Sequence, residues 1–113
     1  MTAQSFPRSA RLLDGRAFRQ VFDARQVQQD RYFRIHHAPS DQARLGLAIS
    51  RRTARRAVDR NRLKRLVRES FRQHRSSLRA LDFVVLARMD APKTPGPELL
   101  RSLTQLWQRF TPS

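Results

Sequence analysis

At 113 residues the chain has room for one hydrophobic core, since two domains of half that size would each bury too little surface to be stable. Lys and Arg total 24 against 9 Asp and Glu, a formal charge of +15, so a polyanion is the default partner: nucleic acid, or less simply an anionic membrane surface. The absence of cysteine excludes disulfides, thiolate zinc sites and a cysteine nucleophile, and no run of about 18 apolar residues exists to cross a membrane.

Cysteine-free composition is compatible with a reducing cytoplasm, and a cytoplasmic location is expected. Met1 to Asp14 has no apolar run of signal-peptide length, and with Pro7 and no amphipathic pattern it reads poorly as a transit peptide. The basic residues are skewed to 22 Arg and 2 Lys. The planar guanidinium pairs bidentately with phosphate and stacks on bases, although a biased genomic composition produces the same skew.

Residues 1–11 lack hydrophobic periodicity and read as a loose tail of a single domain spanning 1–113. Asp14 is placed to cap a first helix over residues 15–24, with Leu13 and Phe18 as a hydrophobic staple and Phe18, Val21 and Phe22 on one face. Residues 31–38 alternate as a half-buried strand, with Phe33 and Ile35 on one face and Arg34 and His36 on the other. Pro39, Ser40 and Asp41 mark a turn, and residues 45–50 form a second strand expected to pair with the first as a hairpin. Its small Gly46 and Ala48 lie opposite Leu45, Leu47 and Ile49, leaving an open, shallow face.

Residues 51–75 hold eleven basic side chains against Asp59 and Glu69, a net +9. Over residues 57–74 a helical wheel gathers Leu63, Leu66, Val67, Ser70 and Phe71 into a core-facing stripe, with Asn61, Lys64, Arg65, Arg68 and Arg72 opposite. Arg60 and Arg62 flank the stripe near the helix start, where the macrodipole and free N–H groups also favour phosphate. A solvated helix face mixes charge signs at i, i+4, whereas Arg60, Lys64, Arg68 and Arg72 form a same-sign row that weakens the isolated helix. A polyanion-binding face is therefore the stronger reading and a merely wet one the weaker. Neutralising about five phosphates would give a log-log salt slope of roughly -3 to -5.

Residues 82–88 are nearly continuously apolar and predict a central strand. Residues 91–97 contain three prolines and a glycine and predict an irregular connection, followed by a helix over 98–110 with the stripe Leu99, Leu103, Leu106, Trp107 and Phe110. The order of helix, strands, helix, strand and helix makes an α+β fold of one sheet with helices packed on it.

The run Ser50-Arg51-Arg52, followed by residues 57–72 with their Arg60-Asn61-Arg62 core, Lys64-Arg65 and Arg68-Glu69, resembles the signature of the bacterial ribonuclease P protein. The likeness extends over residues 11–110: Phe18 to Phe22 resembles the family's first helix, Leu45 to Ser50 its strand before the basic helix, and Asp82 to Arg88 the strand after it. The chain departs from the family pattern at Arg55-Arg56, where Gly-Asn is common, and at His36, where an aromatic residue is frequent.

The resemblance implies a mixed sheet of about four strands in the order α-β-β(-β)-α-β-α with a left-handed βαβ crossover. It implies that the chain assists removal of the 5′ leader from precursor tRNA by an endonuclease whose catalytic subunit is RNA. Arg51, Arg52, Arg60, Asn61, Arg62, Lys64, Arg65 and Arg68 would bind that RNA. Phe18, Phe22, Arg34 and His36 would line the cleft for the single-stranded leader, where rings stack on any base. Burial statistics alone favour a core role for both phenylalanines. Mg²⁺ would be held by the RNA subunit and substrate, with no metal ligated by the protein, no small-molecule cofactor and no membrane partner.

The nine acidic residues are dispersed, with no close pair to hold a nuclease metal. His36 and His37 are adjacent and point to opposite faces of a strand, which argues against paired acid-base catalysis by histidine. Rival readings are a ribosome-associated or chaperone-like RNA-binding module, and a DNA-binding protein, for which no helix-turn-helix is found.

Overall fold

A computed structural model describes residues 10, 11 and 15–112. The expected Asp14 cap and its Leu13 staple fall outside these residues. Ala10, at the end of the segment read as a tail, is buried, and Arg11 forms an isolated parallel bridge with Leu45.

Helix α1 spans Gly15–Asp23 and buries Val21. It ends where Arg25 enters the left-handed region at φ 56°, with the Ala24 and Arg25 amides donating back to the carbonyls of Gln20 and Phe22. Strand β1 (Gln26–Gln29) then turns into β2 (Phe33–Pro39) around Asp30, whose Oδ1 accepts from the Tyr32 and Phe33 amides at 2.9 and 3.0 Å. Strand β3 is Arg44–Leu47, helix α2 Ala57–His74, strand β4 Leu81–Ala87 and helix α3 Gly96–Gln108. Short 3₁₀ turns at Arg75–Ser77 and Ala91–Lys93 follow α2 and β4.

The fold is α+β, with a single mixed four-stranded sheet in the order β1-β2-β4-β3. β2 and the strand after it are not a hairpin, because β4 lies between them, antiparallel to β2 and parallel to β3. The most apolar strand takes the centre, where both faces are covered, and the parallel pair is reached through α2 as a crossover. Strand β1, which has no hydrophobic alternation, pairs antiparallel with β2 at the edge.

Alternation along β4 divides the core. Phe83 and Val85 face α2 and α3, where Leu63, Val67 and Phe71 meet Leu99, Leu103, Leu106 and Trp107. Trp107 sits edge-on to Phe71 and Phe83, at 5.6 and 5.4 Å between ring centroids. Its indole N–H donates to Ser70 Oγ at 2.9 Å, which explains a serine on the buried stripe of α2. On the opposite face Val84 meets Val21 of α1, with Phe18, Phe22, Ala38, Ala48 and Leu86 partly buried around them. Helix α1 therefore packs on β2 and β4, with Ala48, just past β3, at the margin of this cluster.

Candidate nucleic-acid interface

The buried stripe of α2, Leu63, Val67, Ser70 and Phe71, turns the rest of the helix outward. Asn61, Arg65 and Arg68 are exposed on that outer side, Lys64 is half-buried beside them, and Arg51 and Arg52 are exposed on the turn that precedes the helix. That turn is closed by the Ala54 amide on the Ser50 carbonyl at 3.0 Å and by the Thr53 amide on Ser50 Oγ at 3.2 Å. Arg72, farther along, is paired with Glu69 and lowers the pKa of that carboxyl. Among the described residues, the basic side chains over residues 61–68 have no acidic partner.

Arg60 and Arg62 behave differently from their neighbours. Arg60 Nη1 donates to the carbonyls of Ala54 and Arg55, each at 2.9 Å. Arg62 Nη2 donates to the Thr94 carbonyl at 2.6 Å. Both guanidinia tie loops to the first turns of α2, while a five-donor fork keeps further N–H groups for another partner. Sequence periodicity placed them beside the stripe but carried no sign of these carbonyls, which come from segments six residues upstream and more than thirty downstream.

On the α1 side of the sheet, Phe18 and Phe22 are half-buried rather than sealed in the core. The Phe22 ring meets His36 edge-on, with centroids 4.7 Å apart. Among the described residues His36 Nδ1 is buried without a hydrogen-bond partner, and burial, then the charge of Arg34, push its pKa down, so the ring is neutral at pH 7. Arg34 is exposed and its Nε donates to Gln29 Oε1 at 2.8 Å. Strand β1 adds Val27, which is opposite His36 in register and 43% exposed. Gln26-Val27-Gln28-Gln29 carries no periodic signal, and only the pairing of β1 with β2 brings Val27 beside His36.

The three histidines do not converge. His37 lies on the opposite face from His36, edge-on to Phe110 at 4.9 Å, and His74 Nδ1 is 2.8 Å from the Ser70 carbonyl. Among the described residues no three His, Asp or Glu side chains gather where they could hold a metal ion.

A basic helix face and a group of half-buried aromatic rings thus occupy opposite sides of one sheet. The ribonuclease P family model matches residues 6–111. The chain belongs to the ribonuclease P protein family. It is 46% identical over 110 residues to the ribonuclease P protein component of Thioalkalivibrio sulfidiphilus, covering 96% of this chain and 92% of that one. At 46% over 108 residues it also resembles the ribonuclease P protein component of Methylococcus capsulatus, covering 94% and 84%. The RNase P protein of Staphylococcus aureus has the same fold, with a TM-score of 0.82 at 27% identity over 88% of this chain and 94% of that one. That of Thermotoga maritima follows at 0.80 and 28%, over 90% and 98%. The sequence resemblance and the sheet order therefore lead to one family, and this chain is similar to ribonuclease P protein components along nearly its whole length.

Proposed function

We propose that this chain binds the catalytic RNA of ribonuclease P and the 5′ leader of precursor tRNA, and so assists Mg²⁺-dependent removal of the leader to give mature tRNA 5′ ends in the cytoplasm. The observation that carries this reading is the outward row of Asn61, Arg65 and Arg68, with Lys64, Arg51 and Arg52 beside it, on a helix whose other side is core. Arg60 and Arg62 order the loops next to this row and add their remaining donors to phosphate. Phe18, Phe22, Arg34 and His36, with Val27, form the leader cleft, where ring edges and a neutral imidazole take successive bases whatever their identity.

Hydrolysis is assigned to Mg²⁺ held by the RNA subunit and the substrate. The protein's part is to place positive charge between two polyanions, which lowers their mutual repulsion and tightens substrate binding. The test is reconstitution with a bacterial ribonuclease P RNA at low Mg²⁺, using precursor tRNA with a leader of several nucleotides. Cleavage should rise well above that of RNA alone, and the gain should shrink as the leader is shortened. No gain at any leader length would leave a non-catalytic RNA-binding module, ribosome-associated or chaperone-like, as the better reading.

A further inference from the structure

Two segments beside the start of α2 border an open recess of about 610 Å³, inside the range of about 300–1,000 Å³ typical of small-molecule sites. One wall is the turn running from Arg52 into the helix, and the other is the turn after β4, from Met89 to Lys93. Arg60 holds the first wall by the carbonyls of Ala54 and Arg55, and Arg62 holds the end of the second by the carbonyl of Thr94. Two guanidinia on one helical turn therefore set the separation of the walls, which makes the recess a constructed feature rather than a gap between loops.

Its lining joins an apolar ledge to a ring of cations. Ala54 is buried, Pro92 is half-buried, and Met89 is 63% exposed, the largest exposure of any described large hydrophobic residue. Arg52, Arg55, Arg56 and Lys93 surround them. Of the two carboxylates present, Asp90 is engaged by Arg31 at 2.9 Å, while Asp59 stands 3.9 Å from Arg56. Among the described residues Arg52 and Arg55 have no acidic partner. Among the described residues no side chain caps the amino end of α2, and the amides of Asp59 and Arg60 donate to the Arg56 carbonyl at 3.1 Å.

A thioether and a proline ring flanked by guanidinia suit a planar base, while the cations suit its phosphate and Asp59 can accept from an exocyclic amine. An inorganic anion alone would leave the ledge wet, and an apolar peptide would leave the cations unmatched. The geometry points to a pocket for one unstacked nucleotide, its base on Met89 and Pro92 and its phosphate on Arg52 and Arg55. The same chemistry is offered by a nucleotide splayed from folded RNA and by a free 5′-mononucleotide. In its RNA-borne form the inference deepens the ribonuclease P reading and rests on it.

The chain has 2 methionines, so methyl-labelled methionine reports on Met89, with Met1 as an internal control. Titration of the full chain with 5′-AMP should shift the Met89 methyl signal saturably, and ribose 5-phosphate or inorganic phosphate should shift it several-fold less. Met89→Glu, measured by calorimetric titration, should weaken 5′-AMP binding about tenfold or more, because a carboxylate that repels the phosphate replaces the apolar ledge, with the melting temperature unchanged. Arg55→Ala should shrink the Met89 shift in the same way. With a bacterial ribonuclease P RNA bound, suppression of the 5′-AMP shift and a crosslink from a benzophenone side chain at position 89 identify an RNA nucleotide as the occupant. An undiminished shift identifies a free one.

Phosphate acting as strongly as 5′-AMP, or unchanged 5′-AMP binding by Met89→Glu, overturns the pocket. Stimulation of precursor-tRNA cleavage is scored separately on the unsubstituted chain. A chain that stimulates cleavage but fails the titrations keeps its proposed function and loses the pocket, and one that binds 5′-AMP without stimulating cleavage does the reverse.

Discussion

Where α2 and α3 cover the sheet, Phe71, Phe83, Trp107 and Phe110 interlock with almost no exposed surface, each ring edge-on to another. Where α1 covers it, Val21 and Val84 are sealed among the described side chains, and Phe18 and Phe22 stay half exposed around them. Rings of the same chemical type thus serve differently on the two sides. A single nine-residue helix cannot bury a wide apolar face, so its phenylalanines retain edges that another ring can meet, whereas two longer helices close the other face completely. Stability should therefore reside on the α2/α3 side, and the α1 side should yield first when the fold is stressed.

Phe83→Ala strikes the closed side hardest. It should cost about 3–5 kcal/mol, a large share of the roughly 5–15 kcal/mol that keeps a domain folded, with urea denaturation as the measure. RNA binding should be lost only as the chain unfolds. Phe22→Ala, on the open side, should cost no more than about 1–2 kcal/mol, because only part of the ring is removed from water. Its larger effect should appear in cleavage of long-leader precursor tRNA, with short-leader substrate much less affected. A Phe22→Ala chain that unfolds as readily as Phe83→Ala would erase the contrast between the two sides.

Protonation probes both sides at once, since His36 faces α1 and His37 faces Phe110. Burial, then Arg34, lowers the pKa of His36, and burial, then His36, lowers that of His37. Unfolded imidazoles titrate near about 6.5, so between the folded values and that point the unfolded chain binds more protons. Stability should accordingly rise with pH through this window and fall as pH drops from 7 past about 6.5. Replacing both histidines with glutamine should flatten the dependence of the urea midpoint between pH 5.5 and 7.5. The exposed carboxyls of Glu69 and Asp90, held low by Arg72 and Arg31, lose their contribution only at more acid pH. A flat profile in the unsubstituted chain would mean that both rings are fully hydrated.

The smallest effect on folding belongs to the outer face of α2. Arg65→Ala and Arg68→Ala should change stability by less than about 0.5 kcal/mol, since both residues are exposed. Each should nevertheless weaken binding to the catalytic RNA at every leader length and reduce the log-log salt slope by about 0.7–0.9. Equal RNA affinity in both variants would move the docking surface elsewhere.

Much of this arrangement was legible in the residues. Leu63, Val67, Ser70 and Phe71 recur at helical spacing, and the observed α2 has the bounds that the pattern predicts. The apolar run in β4 marked it as a central strand, as found. The prolines around Pro92 predict an irregular connection, and it holds one 3₁₀ turn, with α3 starting at Gly96, two residues before the expected boundary. Strand β1 gave no periodic signal, and the partner of β3 was misjudged because proximity in sequence favours a hairpin while burial of β4 favours the centre.

Local periodicity and charge, which depend only on neighbours three or four residues away, determined the helices, the central strand and the existence of a basic face. Which strand lies beside which, where the Arg60 and Arg62 guanidinia find carbonyls, and how Val27 reaches His36 were decided by tertiary packing. Those partners are brought together by closing the sheet around β4, and no short-range pattern encodes the contacts that only that closure creates.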